Sequence, residues 1–211
     1  RLALDGDQIR LPLPGGEGRA LRLSLRPGDE PLAIYIASLS PRMLALTGEV
    51  ADGWLGTSFV PEGARSSMDA LAEGAAKSGR TLADLDLCQG AEVAFARDEA
   101  ELHEMLQRRK AGLAFSLGGM GSARTNFYNA AYARQGFADV AAESQALWLA
   151  GRRDAAASVI PDSMVMATTL LGTESQVADR LRVWEDTGIT QVRLYPAGET
   201  LADRLDTLGR A

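Results

Sequence analysis

Two serines, Ser38 and Ser40, stand between an apolar run, Leu32-Ala33-Ile34-Tyr35-Ile36-Ala37, and Pro41. The run is short and β-branched enough to be a buried strand. Pro41 is suited to the first position of a helix, where its missing N–H costs nothing. Small hydroxyl residues where a strand hands over to a helix N-terminus suit an anionic or phosphate-bearing ligand, because backbone N–H groups converge there. The same serines can instead do no more than cap the helix. Both readings are open from these residues alone.

Other residues of chemical character are less well placed. His103 is the only histidine and sits among Glu101, Glu104, Gln107 and Arg108, which reads as a solvated helix face. Cys88 is the only cysteine, which leaves no internal disulfide and fits a reducing cytoplasm. No Cys/His cluster suits zinc, and no nucleophile–base pair is apparent, so a metal site and nucleophilic hydrolysis are both unsupported. Glu49 and Asp52 could act as paired carboxylates, but beside Gly53-Trp54 they read better as anchors of a helix–strand turn. Gly15-Gly16-x-Gly18 lacks the Lys-Ser/Thr ending and the following helix of a phosphate loop, so it reads as a turn.

The elements that must position these residues form a strand–helix–strand crossover: 32–37, a helix from Pro41 to Val50, and a strand at 51–56. A helix is expected from Pro61 to Gly79, a third strand over 85–96, and a helix from Asp98 to about Lys110. Residues 111–160 interrupt the alternation. They read as a helical insertion, with a glycine-dense bend (117–122) and the aromatics Phe127, Tyr128 and Tyr132, of the sort that covers a site mouth or packs a core. A short helix from Pro161 to Thr168 follows, then a capping box at Thr173-Glu174-Ser175-Gln176 opening a helix to Thr187. A fourth strand (189–195) and a last helix (199–208) close the chain. Residues 1–30 read as an extended hairpin excursion, with arms at Ile9–Leu11 and Leu21–Leu25. The whole of 1–211 suits one domain.

Acidic residues number 28 against 22 basic ones, a formal net charge of -6, which disfavours nucleic acid or an anionic membrane as partner. No apolar run is long enough to span a bilayer.

Tyr35-Ile36-Ala37-Ser38-x-Ser40-Pro41, Gly48-Glu49-x-Ala51-Asp52-Gly53-Trp54, Leu170-x-Gly172-Thr173 and Gly188-Ile189-Thr190 together resemble the bacterial luciferase-like monooxygenase superfamily. The closest likeness is to its deazaflavin branch, the coenzyme F-420 (F420)-dependent oxidoreductases. Gly118-Gly119-Met120-Gly121 and Asn126-Phe127-Tyr128-Asn129 are similar to that branch too. The resemblance implies an α/β fold, the C-terminal half of a (β/α)8 TIM barrel with a helical insertion. It implies F420, or alternatively FMN, at the C-terminal mouth, with Ala37, Ser38, Leu39, Ser40 and Thr57 along the cofactor. Ser58 and Phe59, with Phe127 and Tyr128, are expected to face a small-molecule substrate. Phe59 and Val60 stand where the sugar-phosphate members would need basic residues, so a phosphorylated sugar is not expected. The activity implied is hydride transfer between F420 and a small organic substrate; the alternatives are a two-component FMN monooxygenase and a non-catalytic half-barrel partner subunit.

The chain begins at Arg1 rather than Met and is expected to be part of a larger barrel. Its free edges, with inward Ile34, Ile36, Val93, Phe95, Val192 and Leu194 partly uncovered, are expected to join a second copy or the missing N-terminal half. Alone it is expected to transfer little hydride.

Overall fold

The computed structural model describes residues 3–17 and 32–211, and the chain divides into two units, Arg1–Leu32 and Ala33–Ala211. In the first, β1 (Leu4–Asp5) pairs antiparallel with β2 (Arg10–Leu11), and Arg10 meets Asp5 at 3.1 Å. The arm expected at Leu21–Leu25 lies outside the described residues.

The second unit is a parallel sheet with helices. It contains β3 (Tyr35–Ile36), α1 (Pro41–Val50), β4 (Gly53–Leu55), α2 (Arg65–Lys77) and β5 (Asp86–Phe95). The helical segment follows: α3 (Glu99–Gly118), α4 (Phe127–Tyr132), α5 (Ala138–Leu149), α6 (Arg153–Ser158) and α7 (Asp162–Thr168). The chain closes with β6 (Leu170–Gly172), α8 (Glu174–Glu185), β7 (Gln191–Pro196) and α9 (Leu201–Arg210). β3 pairs with β4, β4 with β5, and β5 with both β6 and β7, all parallel.

Alternating backbone groups of β5 show which edge each neighbour takes. The Asp86 N–H donates to the Asp52 carbonyl, the Cys88 carbonyl accepts from Gly56 N–H, and the Ala96 N–H donates to Gly172. The Leu87 and Val93 carbonyls, one residue out of phase, accept from Thr190 and Ala197. Consequently β4 and the short β6 share one edge of β5 in succession, and β7 takes the whole of the other. The arc is β3-β4-β5-β7, the strand sequence of part of a (β/α)8 barrel.

Several expectations need correction. A fifth strand, β6, lies at Leu170–Gly172; three apolar residues between two helices were too few to show a period. The third helix runs on to Gly118 because Leu113, Ala114 and Leu117 continue its buried side, so the glycine bend starts later. The segment from Pro61 divides into a 3-10 turn (Pro61–Gly63) and α2. Finally, Val93 and Phe95 are buried, with Leu87 and Ala91, in a core shared with Leu71, Trp184 and Val177 of α2 and α8. The opposite face of β5 carries Cys88, Gly90, Glu92 and Ala94, of which Ala94 is buried in the second core and only Gly90 and Glu92 reach the polar cavity. Val192 and Leu194 pack against the same core as Val93. Ile34 is uncovered as expected, at 62% exposure. The run 32–37, however, is not the buried strand expected: only Tyr35–Ile36 is strand, paired on one edge among the described residues, and Leu32 and Tyr35 are exposed too.

Local chemistry fixes each element. Pro41 opens α1 with Ser40 as N-cap, its hydroxyl 3.4 Å from the Met43 N–H. Asp52 anchors the turn into β4 by accepting the Ile34 N–H at 2.7 Å. Gly79, at φ +71°, ends α2 so that the Arg80 N–H reaches back to Ala75. The Arg80 guanidinium then closes α1 by donating to the Gly48 and Ala51 carbonyls at 2.6 and 2.8 Å. A second core, with Leu113, Leu117, Ile160 and Met164, unites α3 to α7.

The helices α1 and α2 touch backbone to backbone. A Cβ on Gly74 would lie 1.7 Å from the Ala45 carbonyl oxygen, and one on Gly48 2.0 Å from that of Leu71. Gly74→Ala must therefore separate the helices and is expected to lower unfolding free energy by about 1–3 kcal/mol in urea titration. A midpoint equal to that of the parent would show that the helices can part freely. Glu62, after β4, is paired with Arg180 of α8, which also donates to the Ala167 carbonyl. The Arg180 hydrogen bond holds the Glu62 carboxyl below its ordinary value of 4.5. A depressed carboxylate stabilises above that value and loses its contribution as pH falls through the folded pKa. Glu62→Gln is thus expected to flatten the stability decline below that value, costing under about 1 kcal/mol at pH 7 because the carboxylate is half exposed. Urea midpoints at pH 7 and pH 3 measure both effects.

Candidate functional site

Parallel pairing brings the ends of β3, β4, β5 and β7 to one rim, as expected for the loops after Ala37, Leu55 and Tyr195. Two cavities open there. One, of about 300 Å³, is lined by Ala37, Ser38, Leu39, Ser40, Met43, Thr57, Phe127 and Tyr128. It gathers seven of the nine residues singled out from the sequence. The other, of about 310 Å³, contains Thr57, Ser58, Phe59, Tyr128 and Tyr132 together with Glu92, Arg109 and Arg193. The cavities meet at Thr57 and Tyr128. The first is walled mainly by apolar and small side chains, the second by charges and hydroxyls. A larger groove of about 650 Å³ runs along α1 and α2 from Pro41 to Lys77 and shares Met43 with the apolar cavity.

The loop after β3 is rigid by construction. The buried Ser38 hydroxyl meets the Thr47 hydroxyl at 2.9 Å, and Thr47 uses its own proton on the Met43 carbonyl at 2.8 Å. Ser38 is therefore the donor, and its hydroxyl is turned into α1. Its carbonyl accepts from the Trp54 indole N–H at 3.0 Å. Ser40 is held only by its long cap contact. Of the two, Ser40 keeps the freer hydroxyl at the cavity, while Ser38 offers backbone and shape.

The loop after β4 carries the chain's one described non-glycine residue at positive φ, Ser58 at +54°. Such a backbone costs of order 1 kcal/mol and must be held by its surroundings. Gln135 holds it. Its amide donates to the Ser58 carbonyl at 2.7 Å and accepts from the Val60 N–H at 2.7 Å. Gln135 sits where the helix after α4 breaks, and Gly136, at φ +102°, makes the bend. Phe59 packs edge-on against Trp54 and Trp184, at 6.1 and 5.6 Å between centroids. It is a core residue at 4% exposure, with only an edge at the polar cavity.

Phe127 and Tyr128 are placed by two asparagines. Asn126 caps α4 and donates to the Ser116 and Leu117 carbonyls, both at 2.9 Å. Asn129 bridges the Leu117 and Ala141 carbonyls at 3.0 and 2.7 Å. Phe127 stays 59% exposed beside the apolar cavity, and Tyr128 faces both cavities. Tyr132 is buried, and that burial pushes its phenol pKa up. It is a neutral hydrogen-bonding group at any ordinary pH.

Sequence reasoning missed Glu92, Arg109, Arg193 and Gln135. The signal for Arg193 was present: Gln191, Arg193 and Tyr195 alternate with Val192 and Leu194, so one face of β7 is polar. Nothing local marked Gln135, whose partners lie 75 and 77 residues away. Gln135→Leu strands two buried backbone groups and is expected to cost roughly 2 kcal/mol or more in urea unfolding. It should also speed proteolysis within 57–63. A variant as stable and resistant as the parent would show that another group holds the loop.

Comparison with known proteins agrees with this geometry. Residues 9–191 match the model of the luciferase-like monooxygenase family. A Mycobacterium tuberculosis protein named as a coenzyme F420-dependent oxidoreductase, Rv3520c, is 34% identical over 193 residues, 89% of this chain and 55% of its own. The 5,10-methylenetetrahydromethanopterin reductase of Methanolobus tindarius is 28% identical over 91% of this chain and 54% of its own. Among solved structures, an F420-dependent secondary alcohol dehydrogenase bound to an F420-acetone adduct superposes with a TM-score of 0.64, at 13% identity, over 98% of this chain and 53% of that one. The F420-dependent tetrahydromethanopterin reductase of Methanopyrus kandleri gives 0.60, at 20% identity, over 84% and 49%. The chain spans about half the length of the relatives it matches. With a family match over most of its length and a parallel arc of strands, the chain belongs to the luciferase-like monooxygenase family.

Proposed function

We propose that this chain forms part of an F420-dependent oxidoreductase that moves a hydride between the deazaflavin and a small organic substrate. The observation that carries the reading is the apolar cavity, which draws together Ala37, Ser38, Leu39, Ser40, Thr57, Phe127 and Tyr128 from three separate stretches of sequence. Ligand sites commonly occupy about 300–1,000 Å³, and this cavity, of about 300 Å³, lies at the lower end of that range.

The residues present fit such a group. Ala37, Ser38 and Ser40 are small enough for a chain to lie along the backbone, and Ser40 leaves a hydroxyl and a helix start near an anion. Leu39, Met43 and Phe127 offer apolar contact to a flat ring. When bound, the deazaflavin supplies the hydride. The protein's own part is placement: the loop after β3 fixes the cofactor's course, Gln135 fixes the loop after β4, and Phe127 and Tyr128 cover the mouth against water. Among the described residues β3 and β7 each pair on one edge only, and Leu201, Leu205 and Leu208 of α9 are exposed. Both features support completion of the barrel by further strands, from a second copy or another segment.

Titrating the full chain with F420, followed by its fluorescence, and separately with FMN tests the reading. Saturable F420 binding, weakened at least tenfold in Thr57→Trp and clearly reduced in Ser40→Asp, is the expected result. Preference for FMN would favour the oxygen-using monooxygenases, and no binding of either would favour a subunit without a cofactor. Unchanged F420 affinity in Ser40→Asp would leave the serines as helix caps.

A further inference from the structure

The polar cavity beside the proposed cofactor cleft holds three charged side chains, Glu92, Arg109 and Arg193. Glu92 and Arg109 neutralise one another, with Arg109 Nε 3.3 Å from the Glu92 carboxylate. Arg193 is paired with no carboxylate among the described residues. Its guanidinium lies over the Tyr195 ring, 5.2 Å from the centroid, and its buried Nε–H meets no hydrogen-bond partner. A buried donor on a permanent cation is costly to leave unmade, so its natural complement is a ligand acceptor.

The sheet is shaped for this arginine. In the register of β5 and β7, Arg193 stands directly opposite Gly90. A Cβ on Gly90 would lie 2.8 Å from the Tyr195 ring and 3.2 Å from Arg193 Nη2. Only the missing side chain lets the guanidinium and the phenol lean together across β5 toward the cavity. The other walls carry no charge and include the hydroxyl residues Thr57, Ser58, Tyr128, Tyr132 and Tyr195.

We propose that Arg193 is the substrate-anchoring residue and that the substrate is a small organic acid bound through its carboxylate. Charge decides between oxyanions. The three charged groups sum to a single surplus positive charge, which one carboxylate balances. A phosphate dianion would bring a second negative charge close to Glu92 with nothing to offset it. The planar guanidinium fork also matches a carboxylate's two oxygens, and the Tyr195 ring lies beneath it. The inference rests on the proposed oxidoreductase reading for the word substrate, but carboxylate binding at Arg193 is measurable without it.

The test is calorimetric titration of the full chain with lactate, its neutral counterpart lactamide, and inorganic phosphate, repeated on Arg193→Gln, Arg193→Lys and Gly90→Ala. Lactate is expected to bind more tightly than lactamide or phosphate. Affinity should fall at least tenfold in Arg193→Gln, partly recover in Arg193→Lys and weaken in Gly90→Ala, which displaces the guanidinium without removing it. Lactate binding unchanged in Arg193→Gln, equal binding of lactamide, or tighter binding of phosphate would each overturn the proposal. F420 titration of Arg193→Gln separates the two readings. Unchanged F420 affinity supports a substrate role, whereas a loss matching that of lactate would assign the arginine to the cofactor's own anionic portion and overturn it. A parent chain that binds lactate through Arg193 but never F420 would sink the oxidoreductase reading and leave the carboxylate site standing.

Discussion

The two-sided hydrogen bonding of β5 is the constraint on which the rest of the second unit depends. Ten residues long, it is paired along both edges, by β4 and β6 in succession on one and by β7 on the other. A strand paired on both sides leaves its side chains only two destinations. Leu87, Ala91, Val93 and Phe95 enter the core under α2 and α8, and Gly90 and Glu92 are left to line the polar cavity on the opposite face. The polar cavity exists because the alternation of one strand places its only charged mid-strand residue, Glu92, on the face turned away from α2 and α8, where it meets Arg109 of α3.

The rim is then assembled by contacts distant in sequence. Trp54 ties the end of β3 to β4 through the Ser38 carbonyl. Gln135 ties the end of β4 to the kinked helical segment through Ser58 and Val60. Asn126 and Asn129 tie that segment to the end of α3 and to α5. Each is a side-chain amide or indole satisfying a backbone group that the sheet and helices leave over. In this way the polar requirements of irregular backbone become the device that orders a site. The strained Ser58 lines the polar cavity beside Thr57, where the two cavities meet, and its deviation from regular geometry is tolerated only because Gln135 over-determines it.

The two cavities differ in the physics that they offer a ligand. The first supplies contact area and small backbone neighbours, suited to a large flat molecule with a polar tail. The second supplies directed donors in a confined space, suited to fixing the orientation of something small. The proposed hydride transfer would draw on this division, since bringing a donor and an acceptor face to face is chiefly a matter of placement.

Much of the frame was legible in the residues. Pro41 after two serines, Gly79 after α2 and the box at Thr173-Gln176 fix helix ends by short-range chemistry, and the structure has each where its residues demand. The segments at the ends of β3 and β6, Ala37–Pro41 and Gly172–Thr173, lie where parallel pairing must bring them to one rim. Tertiary structure decided what local pattern leaves undetermined. Strand alternation says that Val93 and Glu92 face opposite ways, but not which way is covered; the packing of α2 and α8 settled that and put Val93 inside. Phe59 looked available for a ligand until Trp54 and Trp184 closed around it. The Ser38 hydroxyl was consumed by Thr47, a partner one helix away. Arg193 and Glu92 lie 101 residues apart in the chain and share a cavity only because β5 and β7 are neighbours. A sequence specifies such meetings through the whole fold, since hydrogen-bond pairing between distant strands has no local signature.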